Sequence, residues 1–264
     1  MPDILIAVLF AIFTWWFSTG LILLLDGLPR GTFRWSLLIS TLLSIAALFG
    51  LVQSSGQNSV SASYCGFTCA LLVWGWHELS FLTGWITGPR KQPSPANAGA
   101  RARFGHAVSA ILWHELAIAA VGVTIVALTW NQPNQIGTWT FVVLWVMRIS
   151  AKLNLFLGVR NLGQEFLPEH LAYMGSFFRR RPMNRLFPFC VAGACAVLAL
   201  IAQRLIGAQG ASQSVGLALV GTILALAIIE HLLLVVPLPT TALWRWAMRG
   251  REAATPSLTV PRRC

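Results

Sequence analysis

Histidine and glutamate stand side by side at four places in this chain. Four of the five histidines adjoin a glutamate, and these glutamates are half of the eight acidic residues. The four pairs are His77-Glu78, His114-Glu115, Glu169-His170 and Glu230-His231. Imidazole and carboxylate groups bind iron, zinc or manganese, and histidine also ligates the metal of a tetrapyrrole. The pairs therefore predict a polar site for a divalent metal or a tetrapyrrole, or else a network of side chains that only bind one another.

Two of these pairs belong to a repeated tetrapeptide, Trp-His-Glu-Leu, at Trp76–Leu79 and Trp113–Leu116. Adjacent residues on a helix point about 100° apart, so one pair cannot place both of its side chains in the same site. Other polar residues of the apolar runs and of the nearby connection complete the candidate set. These are Arg148, Lys152, Asn154 and Glu165.

Known catalytic signatures are missing from the sequence. No two histidines have the spacing of a histidine box, and there is no His-Glu-x-x-His helix, nucleophile elbow or phosphate-binding glycine loop. After His114, Ile118 occupies the place of the second histidine of the zinc motif. The sequence therefore leaves open whether the protein is an enzyme, and it identifies no catalytic residue.

The composition indicates that lipid is the solvent around this chain. Of its 264 residues, 56% are hydrophobic and only 10% are charged, and the mean hydropathy is +0.69. Soluble domains carry about a quarter charged residues. The net charge of +11 lies mainly in short segments between apolar runs, where it reports membrane topology. We expect no nucleic-acid partner, because no soluble basic domain exists to bind one.

Seven apolar runs are long enough to cross a bilayer, which takes about 20 residues of helix. They are Ile4–Leu25, Trp35–Val52, Tyr64–Thr87, Ala107–Thr129, Trp139–Val159, Phe187–Leu205 and Val215–Val236. We therefore predict an all-α integral membrane protein. Its bundle of about seven transmembrane helices would occupy residues 1–236, and a basic cytoplasmic tail residues 237–264.

A further helix is expected in the fifth connection, at about residues 165–181. Pro168 suits a first helical position, and three arginines, residues 179–181, would close the last turn. Leu171 and Phe178 recur at helical spacing, so this helix would lie along the cytoplasmic interface with Arg180 towards water.

The connections alternate in charge along the chain. The first, third and fifth connections and the tail carry arginines or lysines, whereas the second and fourth carry none. The positive-inside rule predicts an external N-terminus and a cytoplasmic C-terminus. On this topology each Trp-His-Glu-Leu copy lies about ten residues, or ~15 Å, from the cytoplasmic helix ends. One site shared by runs three, four, five and seven would follow, in the cytoplasmic half of the bilayer.

Several short blocks resemble the photosynthetic complex assembly protein 2 family of the PuhE type, from about residue 10 to 235. The most specific block is Glu-Phe-Leu-Pro-Glu-His-Leu at Glu165–Leu171. The others are Trp15–Gly20, His77–Gly84, Thr87–Arg90, Gly158–Asn161, Arg181–Asn184 and Glu230-His231.

This resemblance implies a multi-spanning protein of the cytoplasmic or intracytoplasmic photosynthetic membrane of purple bacteria. Such a protein would support assembly of the reaction centre and supply of bacteriochlorophyll, with reaction-centre subunits or other assembly factors as partners. A metal-dependent membrane enzyme acting on a pigment precursor is the alternative. A proton or ion translocator is a third hypothesis, which the lack of further internal repeats disfavours.

Overall fold

Seven long helices account for most of the protein in a computed structural model that describes residues 2–238 and 240–248. They are α1 Pro2–Asp26, α2 Phe33–Ser55, α3 Val60–Leu82, α4 Ala100–Leu128, α5 Ile136–Leu157, α6 Phe187–Ile206 and α7 Ala211–Leu233. All of them except α3 are long and apolar enough to cross a membrane, and the described residues form no strand. The predicted all-α membrane bundle is confirmed.

Helix α3 lies at the centre of the bundle, which explains its lower hydropathy. It packs against α1, α2, α5 and α7, and the last six residues of the helix, His77–Leu82, are all buried. A helix surrounded by protein does not need an apolar surface for lipid. α3 can therefore carry serines and the polar pair His77-Glu78, which would be costly on a lipid-facing helix.

The connection from α3 to α4 begins and ends earlier in the chain than the apolar runs predicted. Helix α3 ends at Leu82 instead of Thr87, because the chain turns at Gly84 with a positive φ of 78°. The chain then runs beside α4, where Thr87 O accepts a hydrogen bond of 2.9 Å from His114 N. A Cβ at Gly88 would collide with the α4 backbone, so only glycine permits this close approach.

The helix expected at about residues 165–181 forms as two shorter 3₁₀ segments, Gln164–Phe166 and Glu169–Phe177. Leu167 between them is extended, as the residue before a proline usually is. The second segment buries Leu171 against Phe81 and Leu82, whereas Arg180 is exposed. Residues 178–181 are not helical, and Val159 pairs with Arg180 in a short parallel bridge.

The arginine-bearing connections meet at one end of the bundle. His170 of the fifth connection contacts Leu82 O at the end of α3, and Arg103 at the start of α4 donates to Phe156 O near the end of α5. After α7, Trp244 Nε1 donates to Trp16 O at 3.1 Å. Most of the predicted basic tail, residue 239 and residues 249–264, lies outside the described residues.

Candidate functional site

Two histidines meet in the interior of the bundle. The ring centroids of His77 and His114 are 6.5 Å apart, and their exposed fractions are 0% and 1%. Aromatic rings surround them, with Phe81 4.5 Å from His114 and Phe141 6.2 Å from His77. Among the described residues, none of the four ring nitrogens has a hydrogen-bond partner. Such nitrogens are costly to bury, and a bound group could satisfy them.

The glutamates that follow these histidines bind two cations of α5. Arg148 Nη2 donates to Glu78 Oε2 at 2.7 Å, and Lys152 Nζ donates to Glu115 Oε1 at 2.5 Å. Arg148 and Lys152 stand one turn apart, so α5 presents both cations on one face. Within the described part of the chain these are the two Lys/Arg–Asp/Glu pairs. Each charge therefore enters the apolar bundle with its counter-charge.

The pair on α7 divides between two environments, as the angle between adjacent helical residues requires. His231 is buried, and its Nδ1 contacts Ala227 O while its Nε2 lies 2.9 Å from Ser150 Oγ. A carbonyl oxygen only accepts, so Nδ1 carries the proton and Nε2 of the neutral ring accepts from Ser150. Glu230 is exposed on the other face and accepts a hydrogen bond of 3.1 Å from Trp15 Nε1.

Asn154 connects α5 to α6, and none of its hydrogen bonds involves His77 or His114. Its Nδ2 donates to Ser150 O at 2.9 Å, and its Oδ1 accepts from Asn184 Nδ2 at 2.9 Å. Asn184 in turn accepts hydrogen bonds from the backbone N–H groups of Leu186 and Phe187 at the start of α6. Both asparagines are buried, so this group fixes where α5 ends and α6 begins.

The remaining candidate residues lie at the arginine-rich end of the bundle. Glu165 and Glu169 are exposed, so the structure does not bring them to the histidine pair. His170 Nε2 donates to Leu82 O at 2.8 Å. Burial lowers the pKa of His170, and this hydrogen bond opposes part of that effect. The fifth connection thus covers the end of α3.

Comparison with known proteins places the sequence in a family. Residues 1–255 match the family described as "Protein of unknown function (DUF3623)". The chain belongs to the DUF3623 family. It is 36% identical over 254 residues to an "Uncharacterized 30.4 kDa protein in puhA 5'region" of Rhodobacter capsulatus, covering 95% of this chain and 93% of that protein. No solved structure matches the chain.

In this DUF3623 member the interior glutamates are neutralised by Arg148 and Lys152. A metal ion bound by His77 and His114 would need further ligands. Among the described residues, no three His, Cys, Asp or Glu side chains come together as a group that could hold a metal ion. Both imidazoles are buried in the interior. They therefore cannot contact a flat pigment ring that lies at the lipid-facing surface of the bundle.

Two polar residues of the site were not among those selected from the sequence. Ser150 lies two positions after Arg148 on α5 and binds His231, and Asn184 binds Asn154. Ser150 could have been found as a polar residue of the same apolar run. Asn184 could not be selected by periodicity because it precedes α6, although it ends a block that the family resemblance contains.

Proposed function

We propose that this protein is a membrane-embedded assembly factor for the bacterial photosynthetic reaction centre, supporting bacteriochlorophyll supply or assembly of the complex. The observation that carries the proposal is the relationship to the Rhodobacter capsulatus protein, whose gene lies in the puhA 5' region. The blocks that resemble the PuhE type, including Glu165–Leu171, point in the same direction.

The outer surface of the bundle supports a role within the membrane. Large apolar side chains are exposed along α2 and α6, for example Phe49 at 68% and Phe189 at 75%. Helix α6 packs chiefly on α7 and buries little of its own surface. Such helices lie against lipid and offer a surface on which transmembrane helices of reaction-centre subunits could pack.

The two glutamates that follow the interior histidines are paired with cations, which supports a structural role for them and is compatible with the proposed function. Glu78 and Glu115 are held by Arg148 and Lys152, so neither carboxylate is free to act as a base without first losing its partner. We further propose that the arginine-rich end faces the cytoplasm, with the N-terminus outside, on the charge pattern of the connections.

A gene deletion with complementation tests this proposal. In a photosynthetic host we expect the deletion to lower the reaction-centre absorbance of membranes and the amount of its subunits, and we expect the intact gene to restore both. Transcript levels of the reaction-centre genes should not change. Normal reaction-centre levels in the deletion strain would refute the proposed role.

The metal-dependent enzyme remains as a second candidate because of the unpartnered nitrogens of His77 and His114. The test is metal analysis and an absorption spectrum of the purified protein. A stoichiometric metal that is lost in the H77L and H114L variants would favour the enzyme. A bacteriochlorophyll or porphyrin spectrum would instead favour a role in pigment supply.

A further inference from the structure

An open groove of about 590 Å³ lies where the end of α5 meets the start of α6. Its walls combine apolar side chains with two arginines. The lining residues are Leu157, Arg181, Asn184, Arg185, Leu186 and Phe189. Both arginines are exposed, as is Phe189 beside them. The groove therefore offers positive charge and an apolar wall at the same place.

The backbone holds one of these arginines firmly at the groove. Arg181 N donates to Val159 O at 3.0 Å, and Val159 N donates to Arg179 O at 3.1 Å. The Arg181 side chain packs against Gly158, where an added Cβ would lie 2.8 Å from its Cδ. Gly158 also has a φ of 124°, which favours glycine. The Arg181 side chain is thus positioned by the end of α5.

Among the described residues, no carboxylate forms an ion pair with the arginines around the groove. The two ion pairs of the described residues use Arg148 and Lys152, and neither includes an arginine of this end. Arg103 lies close enough to Arg179 and Arg181 for their charges to repel. Arg103 Nε is buried and has no hydrogen-bond partner among the described residues. A cluster of like charges with an unsatisfied donor is stabilised when an anion binds nearby.

We propose that this groove binds an anionic phospholipid, with its phosphate on Arg181 and Arg185 and an acyl chain along Leu157 and Phe189. The guanidinium fork matches the geometry of phosphate oxygens, and the start of α6 adds the positive end of a helix dipole. Basic pockets between transmembrane helices are suited to lipid head groups. Because the apolar wall continues onto the exposed face of α6, a lipid fits better than a free anion. This site is independent of the assembly role proposed above.

The test is native mass spectrometry of the purified full-length protein, titrated with dioleoyl phosphatidylglycerol or with dioleoyl phosphatidylcholine. The two lipids have the same acyl chains, so any difference reports the head group. We expect the wild type to prefer the anionic lipid by at least about tenfold. The double variant R181Q/R185Q should lose this preference, whereas R30Q/R34Q should retain it. The control removes the same charge from exposed arginines of the first connection.

A second variant keeps the test decisive if R181Q/R185Q does not fold, since Arg181 also packs on Gly158. R185Q alone changes an exposed side chain, and it should reduce the preference several-fold. An unchanged preference in both groove variants, or an equal loss in R30Q/R34Q, would overturn the proposal. Displacement of the lipid by equimolar sodium phosphate would point to a free anion, and displacement by polyglutamate to an acidic protein segment. Either displacement would also overturn the lipid assignment.

Discussion

Lys152 Nζ lies 2.5 Å from Glu115 Oε1 and joins α5 to α4 inside the bundle. One turn earlier on α5, Arg148 makes the equivalent bond of 2.7 Å to Glu78 of α3. Helix α5 thus binds both Trp-His-Glu-Leu copies through their glutamates. Because each ion pair fixes the rotation of a helix about its axis, the two histidines that precede the glutamates are turned towards one another.

Removal of a single cation should destabilise the protein. In K152M the carboxylate of Glu115 loses its partner, and breaking a fully buried pair costs about 3–5 kcal/mol. The cost here should be lower, because the side chains of Lys152 and Glu115 are 20% and 25% exposed. We expect less folded K152M in membranes and a lower thermal unfolding temperature after purification. The matched double variant E115Q/K152M has no stranded charge and should recover most of the loss. Equal instability of both variants would contradict a role for the ion pair.

The fold was largely predictable because transmembrane helices have a strong sequence signal. Length and hydropathy located all seven long helices within a few residues at most ends. The end of α3 was not found, since no charge interrupts Thr83–Thr87 but the chain turns at Gly84. The predicted distance of about ten residues from each tetrapeptide to the cytoplasmic helix ends was therefore wrong. α3 ends five residues after His77, and α4 begins fourteen residues before His114.

The buried imidazoles should tolerate an apolar replacement better than a hydrogen-bonded histidine does. H77L removes two unpartnered nitrogens from an apolar cage, so it should leave the unfolding temperature unchanged or raise it. H170L leaves Leu82 O without its partner and should cost about 1–2 kcal/mol. Thermal unfolding of the two purified variants gives the comparison. Strong destabilisation by H77L would contradict this expectation.

His170 should also make the stability depend on pH. Burial lowers its pKa in the folded protein, so the unfolded chain binds the proton more tightly. The contribution of the neutral ring is then complete above the ordinary histidine pKa of about 6.5 and is lost as the pH falls below that value. We expect the unfolding temperature to drop between pH 7.5 and pH 5, with a smaller drop in H170N. Equal drops in both proteins would exclude His170 as a source.

The arginines of the odd-numbered connections predict the membrane topology. A reporter fused after Cys264 should be active only in its cytoplasmic form. A reporter inserted in the uncharged loop 131–135 should be active only in its external form. Activity of the opposite forms would reverse the orientation and would place the arginine-rich end outside.

The sequence identified most of the polar residues that lie near one another in the bundle, but it did not predict how they are arranged. His77 lies near His114, and Arg148 and Lys152 bind the glutamates next to these histidines, although the residue count that predicted a similar depth was wrong. The positions of Glu165 and Glu169 could not be predicted in the same way, because their segment is not the continuous helix that was expected. Pro168 lies between the two short segments, and their directions determine that both glutamates are exposed. Hydropathy gives no information about these directions.

The pigment profile of the deletion strain tests the proposed function most directly. Solvent extracts of its membranes, separated by chromatography, should contain bacteriochlorophyll and no accumulated precursor, while the reaction-centre subunits fall well below their wild-type level. That combination means that pigment is made but is not delivered to, or built into, the complex. Accumulation of one precursor with little bacteriochlorophyll would contradict the account, because a missing enzyme step then explains the loss of the reaction centre.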